Sequence, residues 1–186
     1  DHGVMYGVID FYRAARNAGI KPILGCEVYV APGSRHDKTG TSSDDRYYHL
    51  VLLAENQKGY ENLTKIVSRA FVEGYYYKPR IDLEVLEKYS KGLICLSACL
   101  AGSLNQALLN GENEKAEQIA LWHKNLFGED YYIEIQNNGL KEQVLANQKL
   151  VQLARKLDIP LVATNDAHYL KREDAYNHEV LLCIQT

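Results

Sequence analysis

The fold is decided by a stretch near the end of the chain, Leu161-Val162-Ala163-Thr164-Asn165-Asp166-Ala167-His168. Its apolar beginning follows Pro160 and predicts a short buried strand. Asp166 and His168 come directly after this strand and are two residues apart, so in an extended chain their side chains would point the same way. A carboxylate and an imidazole at a strand end form half of a metal site. In the alternative interpretation, Asp166 caps the next helix and His168 only packs.

Similar apolar runs along the rest of the chain predict further strands. We place strands at 20–30, 48–54, 92–98, 130–136 and 161–164. Amphipathic segments accompany them and predict helices. The alternation of strands and helices predicts an α/β fold with a parallel sheet and helical crossovers. Polar candidates at loops or strand ends in several of these units are typical of barrel enzymes.

Composition and charge narrow the class of protein. The 186 residues suffice for one domain with its own core, and 46% of them are hydrophobic and 24% charged. A net charge of -3 gives no bulk indication of nucleic-acid binding. No apolar run is long enough for a membrane span, so we expect no membrane partner. The four scattered cysteines favour a reduced, cytoplasmic protein over a disulfide scaffold.

Further polar residues stand at positions where each has a functional and a structural interpretation. Asp1 and His2 precede a predicted helix, either as site residues or by chance. Glu27 lies in an apolar strand, so its carboxylate must be paired, bound to metal or turned outward. His49 begins a strand and could be a core histidine bonded to the backbone. Cys99 follows a strand and is either a metal ligand or a buried small hydrophobe.

Taken together, these candidates predict a metal centre. Imidazole, carboxylate and thiolate groups suit zinc, manganese or iron better than magnesium or calcium. Because there are more of them than one tetrahedral ion needs, we expect at least two ions, and two-metal sites of this composition typically hydrolyse phosphoesters. The sequence contains no serine elbow, P-loop or dinucleotide fingerprint that would favour another chemistry. The candidate ligands are His2, Glu27, His49, Cys99, Asp166 and His168.

A tyrosine-rich stretch, Tyr75-Tyr76-Tyr77-Lys78-Pro79-Arg80-Ile81-Asp82, suggests a contact with substrate. Aromatic rings interleaved with Lys78 and Arg80 can stack bases and bind phosphate. The same residues could instead form a surface turn in which Asp82 caps the next helix.

The remaining polar candidates receive structural interpretations. We expect His36 to be a solvated loop residue and His123 to lie at the surface. Glu134 alternates with apolar neighbours and could face the mouth of the sheet, although we expect it to face solvent. His178 is expected to be structural.

Several motifs resemble the polymerase-and-histidinol-phosphatase (PHP) domain family, from one end of the chain to the other. Within that family they are most similar to the branch at the N-terminus of bacterial DNA polymerase III alpha subunits. The motifs are Asp1-His2-Gly3, Gly25-Cys26-Glu27-Val28-Tyr29-Val30, Tyr48-His49-Leu50, Tyr77-Lys78-Pro79-Arg80-Ile81-Asp82, Leu96-Ser97-Ala98-Cys99-Leu100-Ala101-Gly102 and Thr164-Asn165-Asp166-Ala167-His168-Tyr169.

The resemblance implies a fold and a ligand set. The fold would be a distorted (β/α)7 TIM-like PHP barrel, here lacking its first two strands, so residues 1–186 would be a fragment without the N-terminal His-x-His strand and the downstream polymerase modules. Two or three divalent ions (zinc, manganese or iron) would be bound by the six candidate ligands. Glu27 would bridge ions and, with Asp1, take a catalytic position. Lys78 and Arg80 would bind the substrate. The family often has histidine where this chain has Cys99.

The resemblance also implies a function in DNA replication. The chain would be part of a replicative DNA polymerase, a nucleotidyltransferase whose PHP domain is a metal-dependent phosphoesterase, expected to be a 3′–5′ proofreading exonuclease. Its partners would be the primer 3′ end of DNA, the polymerase modules of the same chain and other replicase subunits. One alternative is a catalytically silent, metal-binding structural domain. Another is a histidinol-phosphatase-like small-molecule phosphatase, which the Lys78–Asp82 stretch disfavours.

Overall fold

Six strands form one mixed sheet in the computed structural model, which describes residues 1–39 and 47–185. Their order in the sheet is β3-β1-β2-β4-β5-β6, so β3 and β6 lie at its two ends. The strands are β1 Gly25–Val30, β2 Tyr48–Ala54, β3 Arg80–Ile81, β4 Leu93–Leu96, β5 Tyr131–Gln136 and β6 Leu161–Thr164.

Seven helices accompany these strands in the described part of the chain. They are α1 Val8–Asn17, α2 Gln57–Val72, α3 Leu83–Tyr89, α4 Ser103–Leu109, α5 Asn113–Phe127, α6 Lys141–Leu157 and α7 Ala175–Gln185. Short 3-10 turns at Gly128–Asp130 and Arg172–Asp174 precede β5 and α7. None of the described helices combines the length and apolar character that crossing a membrane requires.

The prediction of a wholly parallel sheet is wrong. Strands β4, β5 and β6 are parallel to one another, and β3 is parallel to β1, but β2 is antiparallel to both β1 and β4. The physical reason is the connection between β1 and β2, whose described residues contain no helix. A parallel neighbour requires a long crossover, usually helical, whereas a simple loop returns the chain antiparallel.

The five predicted strands are confirmed, with shorter bounds for three of them. The expected burial of the last one is wrong, because β6 lies at an end of the sheet and alternates exposed and partly buried residues. Strand β3 was not predicted, because its two residues are too few to show the alternation of apolar and polar side chains that indicates a strand. Closure into a seven-stranded barrel, with two additional strands, stays a prediction.

Helices α2, α5 and α6 pack against the sheet, and the face that α2 covers is opposite to the candidate site. Cys26, Val28, Leu50 and Leu52 are buried in the same core cluster as the apolar side of α2, which includes Leu63, Ile66 and Val67. Side chains alternate between the two faces of a strand. The alternate positions of β1 and β2 therefore carry Glu27 and His49 to the opposite face, where both are only partly exposed.

Two polar residues expected at the surface are instead buried. His123 is 5% exposed, stacks on Tyr131 and bonds through Nδ1 to the carbonyl of Ile119 at 2.8 Å. Glu134 is 4% exposed and accepts hydrogen bonds from β5 and β6 side chains. In both cases a polar partner from the fold compensates the burial of a group that its neighbours in the sequence assign to the surface. His36 is exposed, as predicted.

Candidate metal centre

Glu27 and His49 meet because their strands pair in a defined register. Glu27 lies opposite Val51, and His49 is two residues before Val51 on β2. The two side chains are therefore diagonal neighbours on one face of the sheet. Glu27 Oε1 lies 2.9 Å from His49 Nδ1. Because β2 is antiparallel, its first residues share an edge of the sheet with the carboxyl end of β4, which explains why a histidine at a strand start can join this site.

Cys99 completes the most compact group of the site. The chain leaves β4 after Leu96 and turns so that Cys99 Sγ lies 3.5 Å from His49 Nδ1. The amide of His49 donates to the carbonyl of Ala101 at 3.1 Å, which holds this loop against the start of β2. One ligand atom each from Glu27, His49 and Cys99 lies within 4.8 Å of the other two. Three such donors converging from different elements are a suitable set for a transition metal ion.

The charges within this group stabilise one another. Burial raises the pKa of Glu27, but the hydrogen bond and charge of His49, with the charges of His2 and His168, outweigh it and hold the pKa below its ordinary value. Burial lowers the pKa of His49, but hydrogen bonds to Cys99 and Glu27 outweigh burial and raise the pKa to about 9. The site is therefore built to attract positive charge, either a proton on His49 or a bound cation.

His2 reaches the same face through a short run of chain that pairs with β1. The amide of Glu27 donates to the carbonyl of Asp1 at 3.0 Å, and the amide of Gly3 donates to the carbonyl of Glu27 at 2.7 Å. Gly3 has φ +71°, and a Cβ there would lie 2.7 Å from the Tyr29 ring. Only glycine fits this approach. It brings the His2 ring within 5.3 Å of the His168 ring, while Asp1 remains exposed.

Asp166 and His168 follow β6, as the sequence predicts. Asp166 has φ +49°, and its carbonyl lies 2.8 Å from His168 Nδ1. The alternative role of Asp166 as a helix cap is not found, because Lys171 caps the 3-10 turn Arg172–Asp174 that precedes the helix. His178, which sequence analysis assigned to structure alone, lies with its ring 5.5 Å from that of His168. Nothing in the spacing of His178 along the chain predicts this contact.

Lys78 lies beside the candidate metal centre, over the ring of Tyr29, which also contacts the His49 ring. Its Nζ is 5.6 Å from the centroid of the Tyr29 ring, and that ring is 5.3 Å from the His49 ring. Tyr47 contacts both rings and extends this aromatic cluster. Lys78 is exposed and so can meet a phosphate that approaches the site.

Arg80, predicted to bind substrate, is buried and contacts the loop after β1 that contains Asp37. It is 3% exposed, and its guanidinium stacks on Tyr76. Its Nη2 donates to the carbonyl of Asp37 at 2.6 Å and its Nε to the carbonyl of Gly74 at 3.2 Å. Burial lowers the pKa of Arg80. Contact with a substrate phosphate requires an accessible cation, so we assign Arg80 to the support of this loop.

Fold and site together define a class: α/β proteins in which imidazole, carboxylate and thiolate groups gather on one face of a mixed sheet to form a candidate metal centre. The PHP domain model matches residues 1–138, and the chain belongs to the PHP family. The predicted resemblance is therefore confirmed.

Curated relatives place the chain more closely within the family. It is 47% identical over 186 residues to DNA polymerase III subunit alpha of Borreliella burgdorferi, and 49% identical over 187 residues to the subunit of Treponema pallidum. The subunit of Thermus aquaticus is 48% identical over 187 residues. Each alignment covers 100% of this chain but only 15–16% of the relative. The chain thus spans about 16% of the length of the curated relatives it matches.

Proposed function

We propose that this chain is the PHP region of a replicative DNA polymerase subunit in the bacterial cytoplasm, and that it is a metal-dependent 3′–5′ exonuclease that proofreads the primer end. The observation that carries the proposal is the convergence of Glu27, His49 and Cys99 within 4.8 Å on the open face of the sheet. The relatives at 47–49% identity support the replicative assignment. The polymerase modules of the same chain and other replicase subunits would be its partners.

The donor set fits two or three ions of zinc, manganese or iron. Glu27, His49 and Cys99 would hold one position, with Glu27 shared, while His2, Asp166 and His168 would serve neighbouring positions. Bound metal ions would supply a water molecule of lowered pKa and positive charge beside the scissile phosphate. These ligand roles follow from donor chemistry and from the contacts between the side chains.

The other residues of the site would bind and orient the DNA end. Lys78, over the Tyr29 ring, would attract the terminal phosphodiester to the mouth of the site. The exposed rings of Tyr75 and Tyr77 could stack unpaired bases. Asp1, exposed beside His2, would accept a proton from a water near the cluster. Together these residues favour a single-stranded nucleic-acid end over a small phosphate ester.

The test measures metal content and nuclease activity in the natural-length protein that carries this chain. Bound metal is counted by elemental analysis, and 5′-labelled single-stranded DNA is digested to reveal shortening from the 3′ end. The double variant Asp166→Asn/His168→Ala is compared with wild type and with His36→Ala, an exposed loop histidine. We expect two or three metal ions per wild-type chain. Cleavage should be slower by at least about 100-fold in the double variant only, because losing two ligands should cost at least as much as the roughly 10–100-fold lost with a group behind a ligand.

Other outcomes decide between the alternatives. Metal without cleavage in wild type would favour a structural metal site inside a polymerase subunit. Cleavage of small phosphate esters but not of DNA would favour a histidinol-phosphatase-like activity. A wild-type protein without metal would contradict the ligand assignment itself.

A further inference from the structure

Two buried side-chain oxygen atoms behind the candidate metal centre lack a hydrogen-bond donor within the described part of the chain. Of the buried side-chain polar atoms in the described residues, only Asn105 Oδ1 and Glu134 Oε2 have no hydrogen-bond partner. Asn105 is 2% exposed and Glu134 is 4% exposed. Both residues line one small cavity of about 10 Å³, which Cys99 also lines. Buried acceptors in folded proteins nearly always find a donor, so a shared cavity points to a shared partner.

On one side of this cavity, Asn105 holds the loop that presents Cys99. Its Nδ2 donates to the carbonyl of Cys99 at 2.9 Å and to that of Ala98 at 3.4 Å. Because the amide nitrogen is used in this way, the amide oxygen is turned toward the cavity. Ala98 has φ +64°, a left-handed conformation that costs energy for a residue with a Cβ. The loop thus depends on contacts such as that of Asn105 to keep its shape.

On the other side, Glu134 holds the segment that leads to Asp166. Its Oε1 accepts a hydrogen bond from the hydroxyl of Thr164, the last residue of β6, and another from Gln136 Nε2 at 2.9 Å. Asp166, two residues after Thr164, also has a positive φ, +49°. The two loops that present candidate ligands are therefore each anchored to one of the two unsatisfied groups.

We propose that one water molecule fills the cavity and donates hydrogen bonds to Asn105 Oδ1 and Glu134 Oε2, which makes Asn105 and Glu134 positioning residues that join the Cys99 loop to the Asp166 loop. Two acceptors require two donors, which a single water supplies. A cavity of about 10 Å³ has room for about one water molecule. Three amide side chains also line the cavity, and each amide nitrogen already donates elsewhere. Gln136 Nε2 donates to Glu134 Oε1, Gln143 Nε2 to Gln136 Oε1, and Asn147 Nδ2 to the carbonyl of Gln136. The positioning part rests on the proposed metal site, whereas the water itself does not.

The water is tested by crystallography of the natural-length protein, from crystals grown in a potassium salt and then soaked in a thallium salt. We expect a density peak within hydrogen-bond distance of both oxygens and no anomalous signal from thallium at that peak. A thallium signal would show that a monovalent cation, and not water, occupies the cavity, and would overturn the proposal. A cavity without density would overturn it as well.

The positioning role is tested by metal affinity and by a spectroscopic signature. Glu134→Met has a similar shape but removes both oxygens, and we expect the metal dissociation constant to rise about 10–100-fold, the usual effect of losing a partner behind the ligands. In the cobalt-substituted protein, the charge-transfer band of the Cys99 thiolate should shift, which a mere loss of folded protein would not cause. Glu134→Gln keeps an acceptor for Thr164 and can still bond the water, so it should stay close to wild type.

Matched variants keep this test decisive. Glu129→Met changes an exposed glutamate in the same way and should leave affinity and spectrum unchanged. If Glu134→Met does not fold, Thr164→Val removes only the hydroxyl link and should change affinity in the same direction. Unchanged affinity and spectrum in Glu134→Met would overturn the positioning role. If only Thr164→Val folds, an unchanged affinity in that variant would overturn it. A wild-type protein that binds no metal would refute the proposed function, but the crystallographic test would still decide whether the water is present.

Discussion

A single nitrogen atom, His49 Nδ1, lies at the electrostatic centre of the candidate site. It is 2.9 Å from Glu27 Oε1 and 3.5 Å from Cys99 Sγ, and the pKa of His49 is raised to about 9. At neutral pH and without metal, His49 therefore carries a proton that compensates the charge of Glu27. A metal ion requires the neutral imidazole, so binding must release this proton.

The apparent metal affinity should therefore increase with pH. Below the His49 pKa of about 9, each pH unit should strengthen binding by at least about tenfold, because the metal ion must displace the proton that His49 carries there. Above that pH the His49 contribution should level off. The measurement is a competition titration of the metal-depleted protein against a chelator from pH 6 to about 10. In His49→Ala, binding should be weaker and the slope shallower by about one proton, and an unchanged slope would contradict this account.

Residue types identified Glu27, His49 and Cys99 as candidates for one site, but not which side chains would meet. Glu27 was known to need compensation, yet only the register of β1 and β2 reveals that His49 supplies it. Arg80 and Glu134 were expected at the surface, but both are buried. Their burial is compensated by groups distant in sequence, such as the Asp37 carbonyl and the Thr164 hydroxyl. No local pattern encodes such long-range partners, so the sequence favours the exposed position for both.

At the scale of the elements, the direction of β2 determines where the site can form. The apolar runs predicted the strands because a buried strand is nearly continuous in hydrophobic residues. Their directions depend on how the chain returns, and the β1–β2 connection contradicted the helical crossover that we expected. Asp82, by contrast, caps α3 as the sequence predicted, accepting from the amide of Val85 at 3.2 Å. A cap is local chemistry and is therefore visible in the sequence.

The same Asp82 also joins α3 to the loop after β1, because its carboxylate accepts from Arg35 Nη1 at 3.0 Å. Both residues are buried, with Arg35 6% and Asp82 4% exposed. Asp82→Ala should therefore reduce the stability of this region by about 1–3 kcal/mol, because it removes the buried acceptor of Arg35 Nη1 and the cap of α3 together, while Glu73 still pairs with Arg35 Nε at 2.7 Å. The measurement is the free energy of opening of α3, obtained from hydrogen exchange in increasing urea.

Glu84 provides the matched control for this prediction. It also contacts Arg35 Nη1 at 3.0 Å, but its side chain is 75% exposed. Glu84→Ala should cost less than about 1 kcal/mol, since solvent screens an exposed pair. Equal effects of the two substitutions would contradict the claim that burial determines the strength of these ion pairs.

At the scale of the whole molecule, the candidate ligands join parts of the chain that are remote in sequence. They come from the segment before α1, from β1 and β2, and from the loops after β4 and β6. Strand β6 lies at one end of the sheet and is only partly buried, whereas Ala116 and Ala120 of α5 are fully buried in the core. The hydrophobic core thus stabilises the helix-covered face, while the other face depends on polar contacts and, in our proposal, on metal.

Removal of metal should therefore loosen the molecule unevenly. After treatment with a chelator, amide hydrogen exchange should accelerate at residues 1–3, 98–101 and 164–168, the segments that carry ligands outside the central strands, because an apparent stabilisation by bound metal disappears. Exchange in α5 should not change, because its buried face packs in the core. In Asp166→Asn/His168→Ala, residues 164–168 should exchange rapidly even before chelation. Uniform acceleration across all segments, including α5, would instead indicate that metal supports the global fold, and no change anywhere would contradict a metal centre at this face.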